Sequence, residues 1–119
     1  MESKFYVSLK AARLLKEKGY DEKTDFFIDE YGIWEWDGRA ILDLPCPTKA
    51  EAIDWLESKG IVAGTMFNSN AEWWFVIAKG RFEIYDSCCN DDLIFPTRLE
   101  AADAAIIKSL ELLCERRII

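Results

Sequence analysis

The chain contains no histidine. The side chain that most often serves as a general base near neutral pH is therefore missing, and with it the Ser-His and Cys-His nucleophile pairs. What remains for acid–base or hard-metal chemistry is a set of neighbouring carboxylates: Asp29/Glu30, Asp91/Asp92 and Glu35/Asp37. Two acids flanking a bond can hydrolyse a glycoside, and clustered carboxylates can hold a divalent cation. Adjacent acids in turns are more often simply solvated, and Asn90-Asp91-Asp92 is too short for a calcium loop. Cys46, Cys88, Cys89 and Cys114 include no C-x-x-C spacing, which removes the usual zinc grammar. Cys88-Cys89 can close only a strained vicinal disulfide, so reduced, partly buried thiols are expected. The glycines at 19, 32, 38, 60, 64 and 80 are dispersed and form no phosphate-cradling run. No catalytic residue, metal ligand or cofactor is assigned on these grounds, and the residue types argue against an enzyme.

They point instead to binding. The stretch EWWFVIAKGRFEIYD, residues 72–86, holds a nearly unbroken apolar run from Trp73 to Lys79, as a strand buried on both faces does. An alternating segment with one wet face follows, and Gly80 between the two predicts a hairpin. With a two-residue turn at Lys79-Gly80, Phe75 and Ile77 share the core with Phe82 and Ile84. The opposite face then presents Trp74, Val76, Ala78, Arg81, Glu83 and Tyr85. With a bulge in the turn, Trp73 replaces Trp74 on that face. In either register an indole stands with Tyr85, Arg81 and Glu83, a composition enriched at protein interfaces. The expected partner is a protein, either another molecule or a second copy of the chain. A competing arrangement folds the 25–36 hairpin over the same face within one molecule. An alternative of a different class is a small-ligand pocket lined by Trp34, Trp36 and Tyr31, rings suited to a nucleotide, a sugar or a peptide.

The elements that must position these residues are marked by their caps. Ser8 opens a first helix with the stripe Leu9, Ala12 and Leu15, which Gly19-Tyr20 closes. Residues 25–36 read as two short strands about a turn near Glu30-Tyr31-Gly32, and Ala40 to Leu44 as a brief third strand or a loop. Thr48 and Glu51 form a capping box for a second helix, whose stripe of Ala52, Trp55, Leu56 and Lys59 makes Trp55 a core residue. Gly60-Ile61 closes it. Ile61 to Phe67 is a strand, Asn68-Ser69-Asn70 a turn, and Ser87 to Asp92 a loop. Thr97 and Glu100 open a final helix running to about Arg116 with the stripe Leu99, Ala102, Ile106, Leu110 and Leu113. The likeness of residues 47–52 to 96–101 is shared capping chemistry and not a repeat. The whole is a single α+β domain over residues 1–119 with the order α-β-β-α-β-β-β-α. Its sheet is expected to be largely antiparallel, with the helices mainly on one face.

A chain of 119 residues buries about two-thirds of its unfolded surface in one core without metals or disulfides. Its 22 acidic and 15 basic residues give a formal charge of −7, which repels a phosphate backbone, so nucleic acid is not an expected partner. No apolar run approaches the roughly 20 residues of a membrane span, and the Met1 end lacks a secretory layout. A cytoplasmic protein without a membrane partner is expected.

Val7-Ser8-Leu9 through Leu14 to Tyr20, Pro47-Thr48 through Ala52 with Trp55-Leu56, Lys59-Gly60-Ile61 and Glu100-Ala101 together form a pattern. It resembles a group of small proteins encoded by phages and prophages of gut bacteria, a group with no assigned activity. The likeness spans most of the chain but rests on helix caps and core positions. It implies a mobile-element accessory protein and assigns no site residue.

Overall fold

The structure, a computed structural model, describes residues 3–22, 24–35 and 44–115. Its elements in chain order are α1 (Leu9–Glu17), β1 (Phe26–Asp29), β2 (Gly32–Glu35), β3 (Leu44–Pro45), α2 (Lys49–Ser58), β4 (Ile61–Phe67), β5 (Trp73–Lys79), β6 (Phe82–Asp86), α3 (Ser87–Asp91) and α4 (Arg98–Glu115). The α+β class and the expected order hold. Among the described residues there are two sheets instead of one, each antiparallel and three-stranded, ordered β2-β1-β3 and β4-β5-β6.

The helix ends form where the cap residues stand. The Ser8 hydroxyl accepts from the Ala11 N–H at 3.3 Å. At the other end of α1 the Tyr20 N–H donates to the Leu15 carbonyl at 2.9 Å, and the Gly19 N–H to the Lys16 carbonyl at 3.1 Å. Gly19 adopts φ +90°, the left-handed geometry this closure requires. The Thr48–Glu51 capping box is reciprocal, with the Glu51 N–H reaching Thr48 Oγ1 at 3.1 Å and the Thr48 N–H reaching Glu51 Oε1 at 2.8 Å. On α4 the Glu100 N–H donates to Thr97 Oγ1 at 3.2 Å.

Helices α2 and α4 pack on one side of the β4-β5-β6 sheet, and α1 packs on α4 and toward the small sheet. Between them lies a core of Leu15, Trp55, Leu56, Ile61, Phe75, Ile77, Ile106 and Leu110. Trp55 is a core residue as expected, with the Tyr20 ring 5.4 Å away and Lys59 Nζ 5.3 Å from its own ring. Fully burying side chains such as Phe75 and Ile77 contributes about 1.5–3 kcal/mol each, so this packed side holds the fold together. The β1–β2 hairpin turns on Asp29, whose Oδ1 accepts from the N–H groups of Tyr31 and Gly32 and from Trp34 Nε1. It sits on the side of α1 and Tyr6, whose ring meets Phe26 edge-on at 5.5 Å, and leaves the outer face of the larger sheet open.

Ser87 to Asp91, expected as loop, is a helical turn. Asp86 Oδ1 accepts from the N–H groups of Cys88 and Cys89 at 2.9 Å each, which starts α3, and Asp92 ends it at φ +54°. The Ser87 hydroxyl is fully buried; it accepts from the Phe75 N–H at 3.0 Å and donates to the Leu93 carbonyl at 3.1 Å. It thereby ties the central strand to the segment leading to Phe95, which adds one bridge to Trp73 beyond the end of β6. Ser109 on α4 is equally buried, yet its hydroxyl has no partner among the described residues.

These two serines predict opposite outcomes in urea denaturation. Ser87→Ala strands the buried Phe75 N–H and should lower stability by about 1–3 kcal/mol. Ser109→Ala removes a desolvated, unpaired hydroxyl and should raise stability by roughly 1 kcal/mol. Midpoints shifting in these directions at unchanged slope would match; a destabilised Ser109→Ala would mean that its hydroxyl has a partner.

Candidate interaction face

The geometry of the outer face follows from one irregularity. Ala78 pairs with Glu83 and Ile77 pairs with Tyr85, so Ile84 has no partner and forms a bulge in β6. Lys79 pairs with Phe82, so the two-residue turn is Gly80-Arg81, one residue later than the expected Lys79-Gly80, with Gly80 at φ +60°. The bulge therefore lies within the strand and not in the turn. It leaves the faces of β5 as the unbulged register predicts and reverses part of β6.

Two expectations are corrected here. Tyr85 does not stand on the open face: it is 8% exposed and stacks on Phe75 with ring centroids 5.6 Å apart. Its hydroxyl donates to Asp91, and Lys108 Nζ lies 4.7 Å from its ring centroid. Conversely, Phe82 and Ile84 are not core residues; they are 75% and 41% exposed. The extra residue carries Tyr85 across to the side of Ile77 and Phe75 and pushes Ile84 out.

Of the other predicted contact residues, Trp74 lies half-buried on the outer face beside its β4 partner Met66, and Glu83 is exposed opposite Ala78. Arg81 is exposed in the turn. Trp73 instead faces the helix side, its ring 4.9 Å from that of Phe67. The residues that complete the face are Val62 and Met66 of β4, each 48% exposed, with Val76 and Ala78 between them and β6. The alternation in IVAGTMF was the sequence signal for them: Ile61 and Ala63 turn inward and Val62, Gly64 and Met66 outward.

The predicted ligand pocket does not assemble from its three aromatics. Tyr31 is 82% exposed and Trp34 is 48% exposed with its indole held by Asp29, while Trp36 lies outside the described residues. A cleft of about 630 Å³ opens nearby, lined by Tyr6, Ile28, Ile33, Phe95 and Ile107, and neither Tyr31 nor Trp34 reaches it. At its rim Lys49 donates to the Lys4 carbonyl at 2.6 Å and Asp103 accepts from the Ser8 N–H at 3.0 Å. Burial holds the Lys49 ammonium below its ordinary pKa, partly offset by Asp103 and Glu100. These polar groups fasten the N-terminal segment to α2 and α4.

Two of the carboxylates that sequence offered for chemistry, Asp29 and Asp91, are engaged in the fold. Asp29 holds its turn, and the Trp34 indole N–H keeps its carboxyl below the ordinary value. Asp91 receives the Tyr85 hydroxyl, Glu30 and Glu35 are exposed, and Asp37 lies outside the described residues. Among the described residues no three His, Cys, Asp or Glu side chains converge as a metal site, and no helix is long and apolar enough to cross a membrane. Cys46, Cys88 and Cys89 are free thiols, Cys46 buried and Cys89 exposed. Comparison with protein-family models, with curated proteins and with solved structures finds no match for this chain.

The inward position of Tyr85 has a titration signature. Burial first, then the bond to Asp91 and the nearby charges of Asp91, Asp86 and Glu111, push its phenol up to about 12. Burial with Glu51, Glu22 and Asp21 does the same to Tyr20, and burial alone raises the Cys46 thiol to about 12. Each group holds its proton more tightly when folded. Their stabilisation is thus complete below the ordinary values of 9.0 for the thiol and 10.0 for the phenols, and is lost as pH rises toward about 12. The urea midpoint should fall across that window. A phenolate absorbance titration should show late-ionising tyrosines, one fewer in Tyr85→Phe; loss of an early-ionising tyrosine in that variant would put Tyr85 back on the surface.

Proposed function

We propose that the chain is a non-enzymatic protein-interaction module whose contact surface is the helix-free face of the β4-β5-β6 sheet. One observation carries this reading: Val62, Met66, Trp74, Val76, Ala78 and Ile84 form an apolar field on the side of the sheet away from α2 and α4. Strands about 4.8 Å apart, two of seven residues and one of five, span on the order of 300 Å². A patch of that size falls at the lower end of the largest apolar patches that monomeric domains expose, roughly 300–600 Å², which are often functional when rimmed by polar groups. The rim here is Lys79, Arg81, Glu83 and Asp86.

Protein is the favoured partner class. A net charge of −7 repels nucleic acid, and a flat sheet face offers no concavity for a small molecule. The ligand reading loses its support because Tyr31 and Trp34 stand apart from the cleft. The resemblance carried by the helix caps supports a setting in the cytoplasm as a phage or mobile-element accessory protein.

A photo-crosslinking phenylalanine analogue at Met66 should capture a protein, a second copy or another molecule, while the same group at the highly exposed Tyr31 should not. Val76→Asp in the background of the Met66 probe should suppress the capture. Equal yields from both probe positions, or none from Met66, would contradict the reading.

A further inference from the structure

Among the described residues no strand pairs with either edge of the larger sheet, and the two edges are built differently. The β6 edge carries Glu83 and Asp86, follows Arg81 in the turn, and is bent by the bulge at Ile84. Charge and a bulge are the devices by which natural sheets prevent edge pairing. The β4 edge has neither. Its sequence, IVAGTMF, contains no charge and no proline, its pairing with β5 has no register break, and among the described residues no strand lies on its other side.

The direction of its backbone groups follows from the bonds around it. The N–H and carbonyl of Trp73 both bond Phe95, and the Phe75 N–H bonds Ser87, so the odd residues of β5 address the β6 side. The even residues of β5 therefore address β4, through Met66, Gly64 and Val62. This leaves the N–H and carbonyl groups of Ile61, Ala63, Thr65 and Phe67 pointing away from the sheet.

Gly64 lies at the middle of that strand, and the single chain gives no reason for it. Its backbone lies outside the left-handed region, and a Cβ there would meet nothing within 4 Å. A glycine inside a strand costs roughly 0.5–1 kcal/mol relative to alanine and often marks the close approach of another backbone.

We infer that a second copy of the chain pairs antiparallel with the β4 edge, the two-fold axis passing beside Gly64. The inference rests on the interaction reading of this sheet and adds that a second copy joins it at the edge, extending the outer field. About that axis Ile61 faces Phe67 of the other copy, Val62 faces Met66, Ala63 faces Thr65, and Gly64 faces itself. The outward groups of the four odd residues meet as hydrogen-bonded pairs. The even residues meet at the narrower positions, where Cα atoms approach to about 4.5 Å and side chains touch most closely. Val62 and Met66 thus pack on each other across the axis, and the residue at the closest self-contact has no side chain. Every facing pair is uncharged, which a chain of net charge −7 requires wherever it meets its own copy. The contact is isologous and the β6 edges are blocked, so assembly closes at two and does not propagate. The two outer fields join into one of roughly 600 Å², nearer the ~800 Å² per partner of a stable protein contact.

Charge at the axis tests this. Gly64→Lys and Gly64→Glu each place like charges opposite one another in the pair, while the open space around Gly64 lets either folded chain accept the side chain. In sedimentation velocity across the micromolar range the wild type should dimerise, each variant alone should associate roughly tenfold more weakly or worse, and an equimolar mixture of the two should recover. Thr65→Pro is the second variant: it deletes an outward N–H that bonds nothing within the sheet, and it should stay folded by circular dichroism while sedimenting as a monomer. A wild type that stays monomeric, or dimers indifferent to all three substitutions, would overturn the β4 pairing. If that happens while Met66 still crosslinks another protein, the interaction face stands and only the self-pairing falls; if Met66 captures nothing, both fall.

Discussion

Everything in this molecule turns on an imbalance: the sheet β4-β5-β6 has two apolar faces, and the helices cover one. Phe75 and Ile77 point into α2 and α4 and anchor the core, while Trp74, Val76 and Ala78, one residue away on the same strand, point out. Strand geometry makes this unavoidable, since successive side chains go to opposite sides. A central strand written as an unbroken hydrophobic run commits the fold to two buried faces. The described part of the chain supplies a cover for only one of them, and the small β2-β1-β3 sheet docks by α1 and not on the open side.

The bulge at Ile84 shapes what remains. One additional residue in β6 sends Tyr85 inward, where Phe75, Lys108 and Asp91 hold it, and it leaves Ile84 in water. The same irregularity twists and disrupts the β6 edge, so the device that completes the core also protects that side of the sheet. No corresponding device occurs on β4. The two edges therefore differ in protection: β6 carries charge and a bulge, and β4 carries neither.

Much of the fold was legible in the sequence because caps are local. Ser8, Thr48, Thr97, Gly19 and Gly60 each act within a few residues, and the helices begin and end at them. Trp55 and the α4 stripe were readable for a similar reason, since helical periodicity reports burial directly. The division into two sheets was not, because pairing partners are a tertiary choice. Nor was the position of Tyr85: a bulge breaks the two-residue period that any face assignment assumes, and only the adjacent Ile84-Tyr85, two apolar residues where alternation expects one, hinted at it. Trp74 and Glu83 were placed on the outer face by the period of β5 and by its pairing with β6 ahead of the bulge. The alternation of IVAGTMF puts Val62 and Met66 on one side of β4, but which side stays open depends on where α2 and α4 pack. The short helix α3 was missed since its start depends on one carboxylate, Asp86, closing back on the next turn.

Amide hydrogen exchange along β4, measured residue by residue in dilute and in concentrated solution, tests the central claim most directly. The even residues Val62, Gly64 and Met66 bond to β5 within one chain and should be protected at both concentrations. The odd residues Ile61, Ala63, Thr65 and Phe67 should exchange faster when dilute and gain protection when concentrated. Odd and even amides that exchange alike and ignore concentration would contradict the account.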